Sequence, residues 1–204
     1  MAEEQAKGFT PPLADPAPLG LGAFALTTFV FSIANAGLVP EDSLRFYIPV
    51  ALFYGGLAQF VAGLFEFRNR NIFGTTGFVS YGAFWIALGV FELFARQFEL
   101  GAPGVRLAAL GWFFVGWAIF TAIMWLASWG LHAALGITFT LLLATFIILA
   151  VAVFGGPNES ILHIGGWVGI VTAVAAWYIV AADVLNTVYG RVILPLGPAA
   201  GGAS

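Results

Sequence analysis

Residues 133–154 read AALGITFTLLLATFIILAVAVF, and no Asp, Glu, Lys or Arg interrupts the chain from residue 133 to residue 158. A helix needs about 20 such residues to cross the roughly 30 Å hydrocarbon core of a bilayer. Working outward, charge-free runs of similar length recur at 16–40, 46–65, 71–91, 107–131 and 160–182. A membrane barrel would need alternating segments of about ten residues, whereas these runs are continuously apolar. The chain is therefore expected to be an all-α integral membrane protein with six transmembrane helices. They are placed at 19–38, 46–65, 75–94, 107–128, 133–154 and 163–188. The connections are short, so 1–204 is expected to form a single six-helix transmembrane domain, with 1–14 as a flexible leader and 196–204 as a flexible tail.

Composition agrees. Of 204 residues, 61% are hydrophobic and 8% charged, against about 25% charged in a soluble domain. With no cysteine, disulfides, thiolate nucleophiles and cysteine-bound metals are excluded. The net charge of −3 arises without a basic cluster, which excludes a nucleic-acid partner. The first span has acidic Glu3 and Glu4 ahead of it and exceeds the length of a signal-peptide core, so a retained helix is expected. Lys7, Arg68, Arg70 and Arg191 fall on the N-terminal side and Arg45, Arg96 and Arg106 on the other. The positive-inside rule thus gives a four-to-three preference for a cytoplasmic N-terminus.

The membrane interior is electrically quiet. The sole lysine is Lys7, which excludes retinal. His132 and His163 open successive helices and so belong at opposite faces, where they cannot share a haem. Neither a Ser/His pair nor a His-Glu-x-x-His helix is present for hydrolysis. No cofactor, metal or catalytic residue is expected, and the chain is read as a non-enzyme. Glu66 and Asp183, near helix ends, are read as solvated termini.

What remains within the spans is neutral and polar: Thr27, Thr28, Ser32, Asn35, Gln59, Ser80, Tyr81, Thr138, Thr140 and Thr145. Polar groups in hydrocarbon must face other helices or water. Phe24, Thr28, Phe31 and Asn35 share one helical stripe, as do Phe78, Tyr81 and Trp85. For single residues, bridging between helices and lining of a wet path are equally good readings; for Asn35 and Gln59 together a wet path is favoured. Gly165, Gly169 and Ala173 form a small-residue row suited to close helix packing. Asp15-Pro16-Ala17-Pro18-Leu19-Gly20-Leu21 is a helix start, with Asp15 as N-cap and Pro16 in the first turn. Such an end can cap the helix or receive an anion.

These residues bring a resemblance into view. Residues 15–21 are similar to the Asn-Pro-Ala-Pro-Leu-Gly-Leu signature of the acetate uptake transporter family. Phe24, Thr27 and Thr28 follow in register, then Phe53-Tyr54-Gly55-Gly56 with Gln59, Gly63 and Glu66, then Phe73-Gly74. Ser80-Tyr81-Gly82 with Phe84-Trp85, His163, Gly166-Trp167, Val184-Leu185-Asn186, Gly190-Arg191 and Leu194-Pro195 complete the pattern. The resemblance implies a homo-hexamer in the cell (inner) membrane with cytoplasmic termini and a pathway in each protomer. It implies acetate and related small carboxylates, succinate among them, as substrate, moved by proton symport or as through a channel. It also implies a constriction made by Phe24, Tyr81 and a leucine in the fifth helix, placed at Leu141, with Leu142 or Leu143 if a short gap intervenes. Asp15 departs from the signature Asn and adds a negative charge near the mouth.

The expected pathway therefore has Phe24, Tyr81 and Leu141 as its narrow ring, and Thr27, Thr28, Asn35, Gln59 and Ser80 as its polar lining. A hydrophobic ring makes a naked charge expensive to pass, so a neutral acid should cross more easily than its anion, with the Tyr81 hydroxyl as the polar handle. A channel for a neutral solute such as urea or a short amide is the competing reading.

Overall fold

The computed structural model of the chain describes residues 14–40, 46–97, 103–154 and 158–200, with the side chains of 96, 97 and 103–105 excepted. The expected leader, with Lys7, and the positions of Arg45 and of 201–204 lie outside the described residues. Six helices have the length and composition of membrane spans: α1 (Ala17–Asn35), α2 (Tyr47–Arg68), α3 (Ile72–Gln97), α4 (Pro103–Ser128), α5 (Ala133–Phe154) and α6 (Glu159–Tyr189). Among the described residues there is no strand.

Local chemistry sets the helix ends. Asp15 Oδ1 accepts the Ala17 N–H at 2.9 Å, satisfying one of the free donors of a helix start. The cap position itself is Pro16, one residue later than expected. Asn158 caps α6 by accepting the Ile161 N–H at 3.1 Å, and Gly190, left-handed at φ 61°, ends it. That helix begins four residues before its expected start because Asn158 supplies a cap the hydropathy pattern does not register. α2 is not uniform: Ala51–Ala58 is π-helical. This wider turn lies just after Pro49, which has no N–H for the ladder.

Small residues decide which helices approach closely. A Cβ on Gly63 would lie 2.6 Å from the Val79 backbone nitrogen, and one on Gly82 would lie 2.7 Å from that of Phe60. The α2–α3 contact is thus closed by reciprocal glycines. α1 packs chiefly against α6, where Gly166 faces the backbone of Ala36 and Gly169 faces Ser32. Gly165, in the row read from the sequence, instead abuts Ile148 and Leu149 of α5. Close contacts of this kind drive helix association in lipid, where no hydrophobic effect acts between helices.

The protein core is aromatic. Phe84 meets Trp85, Phe113, Trp117 and Phe146 at ring-centroid distances of 4.9 to 5.4 Å. Outside, α4 presents Trp112, Ile119, Ile123 and Leu126, each more than 60% exposed. A continuous apolar stripe of that size is incompatible with water and suits lipid or another apolar surface. The chain is a multi-pass membrane protein.

The described chain beyond α6 is tied to the bundle by hydrogen bonds. Asn186 Oδ1 accepts the N–H groups of Ile193 and Leu194, and its Nδ2 donates to the Leu194 carbonyl. The Tyr178 hydroxyl donates to the Pro195 carbonyl at 2.7 Å. The Ala134 N–H donates to Leu196 O and the Ala200 N–H to Trp129 O. Residues 191–200 are strapped across the ends of α5 and α6.

Candidate functional site

Two cavities enter the bundle from opposite ends. The first, about 240 Å³, is bordered by the start of α1 (Asp15, Ala17), the start of α3 (Asn71, Phe73), the α4–α5 turn (Leu131, His132), the late α6 residue Asp183 and tail residue Leu196. The second, about 190 Å³, is bordered by the end of α1 (Asn35), the start of α2 (Tyr47), the late α3 residue Glu92 and the start of α6 (Leu162).

Their inner ends keep a common register. The deepest wall of the first cavity includes Phe24, Tyr81 and Leu142, while the second begins with Phe31, Leu88 and Leu149. Seven residues separate the two on each of α1, α3 and α5. Two helical turns, roughly 10 Å, therefore lie between the cavities. Phe24 and Tyr81 rings are 6.0 Å apart, and Tyr81 also meets Trp117, Phe120 and Phe139. The neck is closed by packed aromatic rings.

The structure places the sequence-derived residues unevenly. Leu142, 4% exposed, stands on the cavity wall with Phe24 and Tyr81, whereas Leu141 does not. One residue along a helix turns the side chain by about 100°, which hydropathy within Leu141–Leu143 cannot resolve. Gln59 lines the first cavity and Asn35 the second. Thr27 lines neither: its hydroxyl donates to Ala23 O at 2.8 Å and it packs where a Cβ on Gly55 would collide with it. Ser80 lies in a shallow outer groove with Trp112, Trp117 and Phe120, since it is on the α3 face turned to α4. Thr28 is buried between the cavities with its Oγ1 unpartnered.

The Tyr81 hydroxyl is not a free handle. It lies 2.9 Å from Thr121 Oγ1 of α4, in full burial. Glu66 and Asp183 are not solvated ends either. Glu66 is 1% exposed with Oε1 unpartnered, tucked against Gly74 and Asn71, while Asp183 stands on the first cavity wall beside Asp15.

His132 lines the first cavity, and His163 lies beside Gly37 at the other end of the bundle. His132 Nδ1 accepts the Leu135 N–H at 3.2 Å, which leaves its proton on Nε2. Burial lowers its pKa below the ordinary value of 6.5. Among the described residues, no Lys or Arg borders this cavity, and no group of three or more His, Asp or Glu is arranged to hold a metal.

The two cavities thus end two helical turns apart, with aromatic rings packed between them. The sequence pattern of the GPR1/FUN34/yaaH family matches residues 3–198. The chain belongs to the GPR1/FUN34/yaaH family. Within it, the chain is 36% identical to the succinate-acetate/proton symporter SatP of Escherichia coli strain K12, over 91% of this chain and 96% of that protein. It is 37% identical to acetate permease A of Emericella nidulans, over 90% of this chain and 65% of that protein. The solved structure of the bacterial acetate channel SatP matches with a TM-score of 0.85 and 36% identity, covering 91% of this chain and all of that one. These GPR1/FUN34/yaaH relatives are named as transporters or channels, and the six-helix fold is shared with the solved one.

Proposed function

We propose that the protein carries acetate and related short carboxylic acids across the membrane, without catalysing a reaction, through the first cavity, the neck and the second cavity. The observation that carries this reading is the register of the neck: on three helices the cavities stop two turns apart, with the apolar Phe24–Tyr81–Leu142 ring at one end. The acetate and succinate named for the relatives support the substrate class.

Proton linkage follows from electrostatics. A bare carboxylate entering an apolar ring loses its hydration with no fixed cation to replace it. The protonated acid escapes most of that penalty. Protomers of the family assemble, in this reading, as a hexamer in the inner membrane with cytoplasmic termini, so that the first cavity, at the α1 start, faces the cytoplasm.

Uptake of labelled acetate into proteoliposomes, with and without an inward proton gradient, tests the reading. Acetate accumulation driven by the gradient is the expected outcome. Uptake of urea or a short amide without acetate uptake would establish the neutral-solute alternative instead.

A further inference from the structure

The helices that build the neck, α1, α3 and α5, run in the same direction, so residue number measures depth. Counting from the Phe24, Tyr81 and Leu142 ring, Thr28 and Trp85 each lie four residues further in. Each also lies three residues before Phe31 and Leu88, where the second cavity begins. The two side chains therefore belong to one layer midway between the cavities, and neither lines a cavity.

Both are nearly inaccessible, Thr28 at 4% and Trp85 at 2% exposure. Both also carry a polar atom with no partner: Thr28 Oγ1 and Trp85 Nε1. Threonines in a helix ordinarily return the hydroxyl to the carbonyl four residues back, as Thr27, Thr138, Thr145 and Thr172 do here. Thr28 does not. The indole N–H can only donate. Around them Phe31 meets the Trp85 ring edge-on at 5.7 Å and Phe146 meets Phe84 at 5.3 Å, and the other hydroxyls of the layer, Thr27 and Thr145, are already donated to Ala23 O and Leu141 O. Residues 25–30, 82–87 and 143–148 contain no Asp, Glu, Lys, Arg or His.

Unmet buried donors are rare in folded proteins and call for a physical explanation. These two occur at the depth where a carboxyl group in transit has left the water of one cavity and has not reached the other. A carboxyl group has two oxygens, and each accepts hydrogen bonds in both the neutral and the ionised form. We propose that Thr28 Oγ–H and Trp85 Nε1–H form a transit station that binds the carboxyl group of a short monocarboxylic acid between the two cavities. The station rests on the transport reading given above, which it deepens. It supplies hydrogen bonds inside the dewetted neck, where the aromatic ring supplies none.

The test uses the full chain in lipid nanodiscs with ¹⁵N-labelled indoles, and proteoliposomes for flux. Among the seven tryptophans, the Trp85 Nε1–H resonance is identified by its loss in Trp85→Phe. Titration with sodium acetate should shift that resonance to saturation, while sodium chloride at equal concentration should not. Thr28→Val, which keeps the shape and removes the hydroxyl, should lower acetate flux about tenfold, the worth of one hydrogen bond to a desolvated oxygen. Thr28→Ser should stay within about twofold of wild type. A Trp85 resonance that ignores acetate in protein that transports it, or a Thr28→Val flux equal to that of Thr28→Ser, overturns the station. A wild-type protein that takes up no acetate removes the transport reading itself, and the station with it.

Discussion

The Tyr81 hydroxyl and Thr121 Oγ1 stand 2.9 Å apart, both side chains buried, and this hydrogen bond ties the neck to α4. α4 packs mainly against α5, and its Trp117 and Phe120 rings also meet the Tyr81 ring, so the bond fixes the hydroxyl of a ring that α4 aromatics already flank. Thr121→Val leaves the phenol without a partner at a cost of about 1–3 kcal/mol. The variant should melt earlier than wild type and pass acetate at an altered rate. Thr121→Ser should restore both, as thermal denaturation and proteoliposome flux would show.

The leucine of the ring separates two adjacent positions. Leu142→Ala should widen the neck and admit bulkier monocarboxylates such as butyrate, because Leu142 faces the cavity with Phe24 and Tyr81. Leu141→Ala should leave the size limit unchanged. Competition of acids of increasing length against labelled acetate reads the difference, and equal size limits in the two variants would contradict the placement.

Charge at the mouth should sort acids by valence. Asp15 and Asp183 share the first cavity wall, within electrostatic reach of each other and with no cation among the described lining residues. A dianion feels twice the repulsion a monoanion does, reduced by solvent because Asp15 is exposed. Asp15→Asn keeps a side-chain acceptor for the Ala17 N–H and removes the charge. The succinate-to-acetate uptake ratio should rise about threefold at low ionic strength and converge on the wild-type ratio at high salt. An unchanged ratio at low salt would show that Asp15 does not act on the substrate.

Acid should loosen the α4–α5 turn. Burial holds the His132 pKa below its ordinary 6.5, so the folded state binds fewer protons than the unfolded state in that window. The associated stability is complete above pH 6.5 and is lost as pH falls through the lowered value. Protonation also fills the Nδ1 lone pair that accepts the Leu135 N–H. The melting temperature should fall between pH 7 and pH 5, and His132→Asn, which can still accept that N–H but does not titrate, should flatten the dependence.

The strap should matter to the cavity it covers. Asn186 makes three hydrogen bonds to Ile193 and Leu194, which together place Leu196 on the wall. Asn186→Ala should raise amide exchange across 191–196 and weaken acetate competition, with little effect on the α1–α6 contact.

Much of this was legible in the sequence because the bilayer imposes a simple rule. A helix must supply about 20 apolar residues, and charge-free runs mark all six spans. Phe24 and Tyr81 could be placed through the resemblance, whose motifs fix their positions in the chain, and both border the first cavity. Features that depend on which neighbour is met were not legible. Leu141 and Leu142 are alike in hydropathy and differ only in direction. Ser80 satisfies the same polar-in-membrane argument as Gln59, yet it faces the outer groove beside α4. Thr121 carries no motif, and its role exists only because α4 brings it to Tyr81. The strap escapes hydropathy altogether, since it is built from a single Asn and backbone amides.

Because α1, α3 and α5 start at the first cavity while α2, α4 and α6 end there, the six peptide dipoles oppose one another pairwise along the passage. The field at that mouth is left to side chains. Asp15 and Asp183 are the carboxylates on its wall, and a side-chain charge outweighs the roughly half charge of any one helix end, so a single substitution at either position resets the electrical character of the entrance.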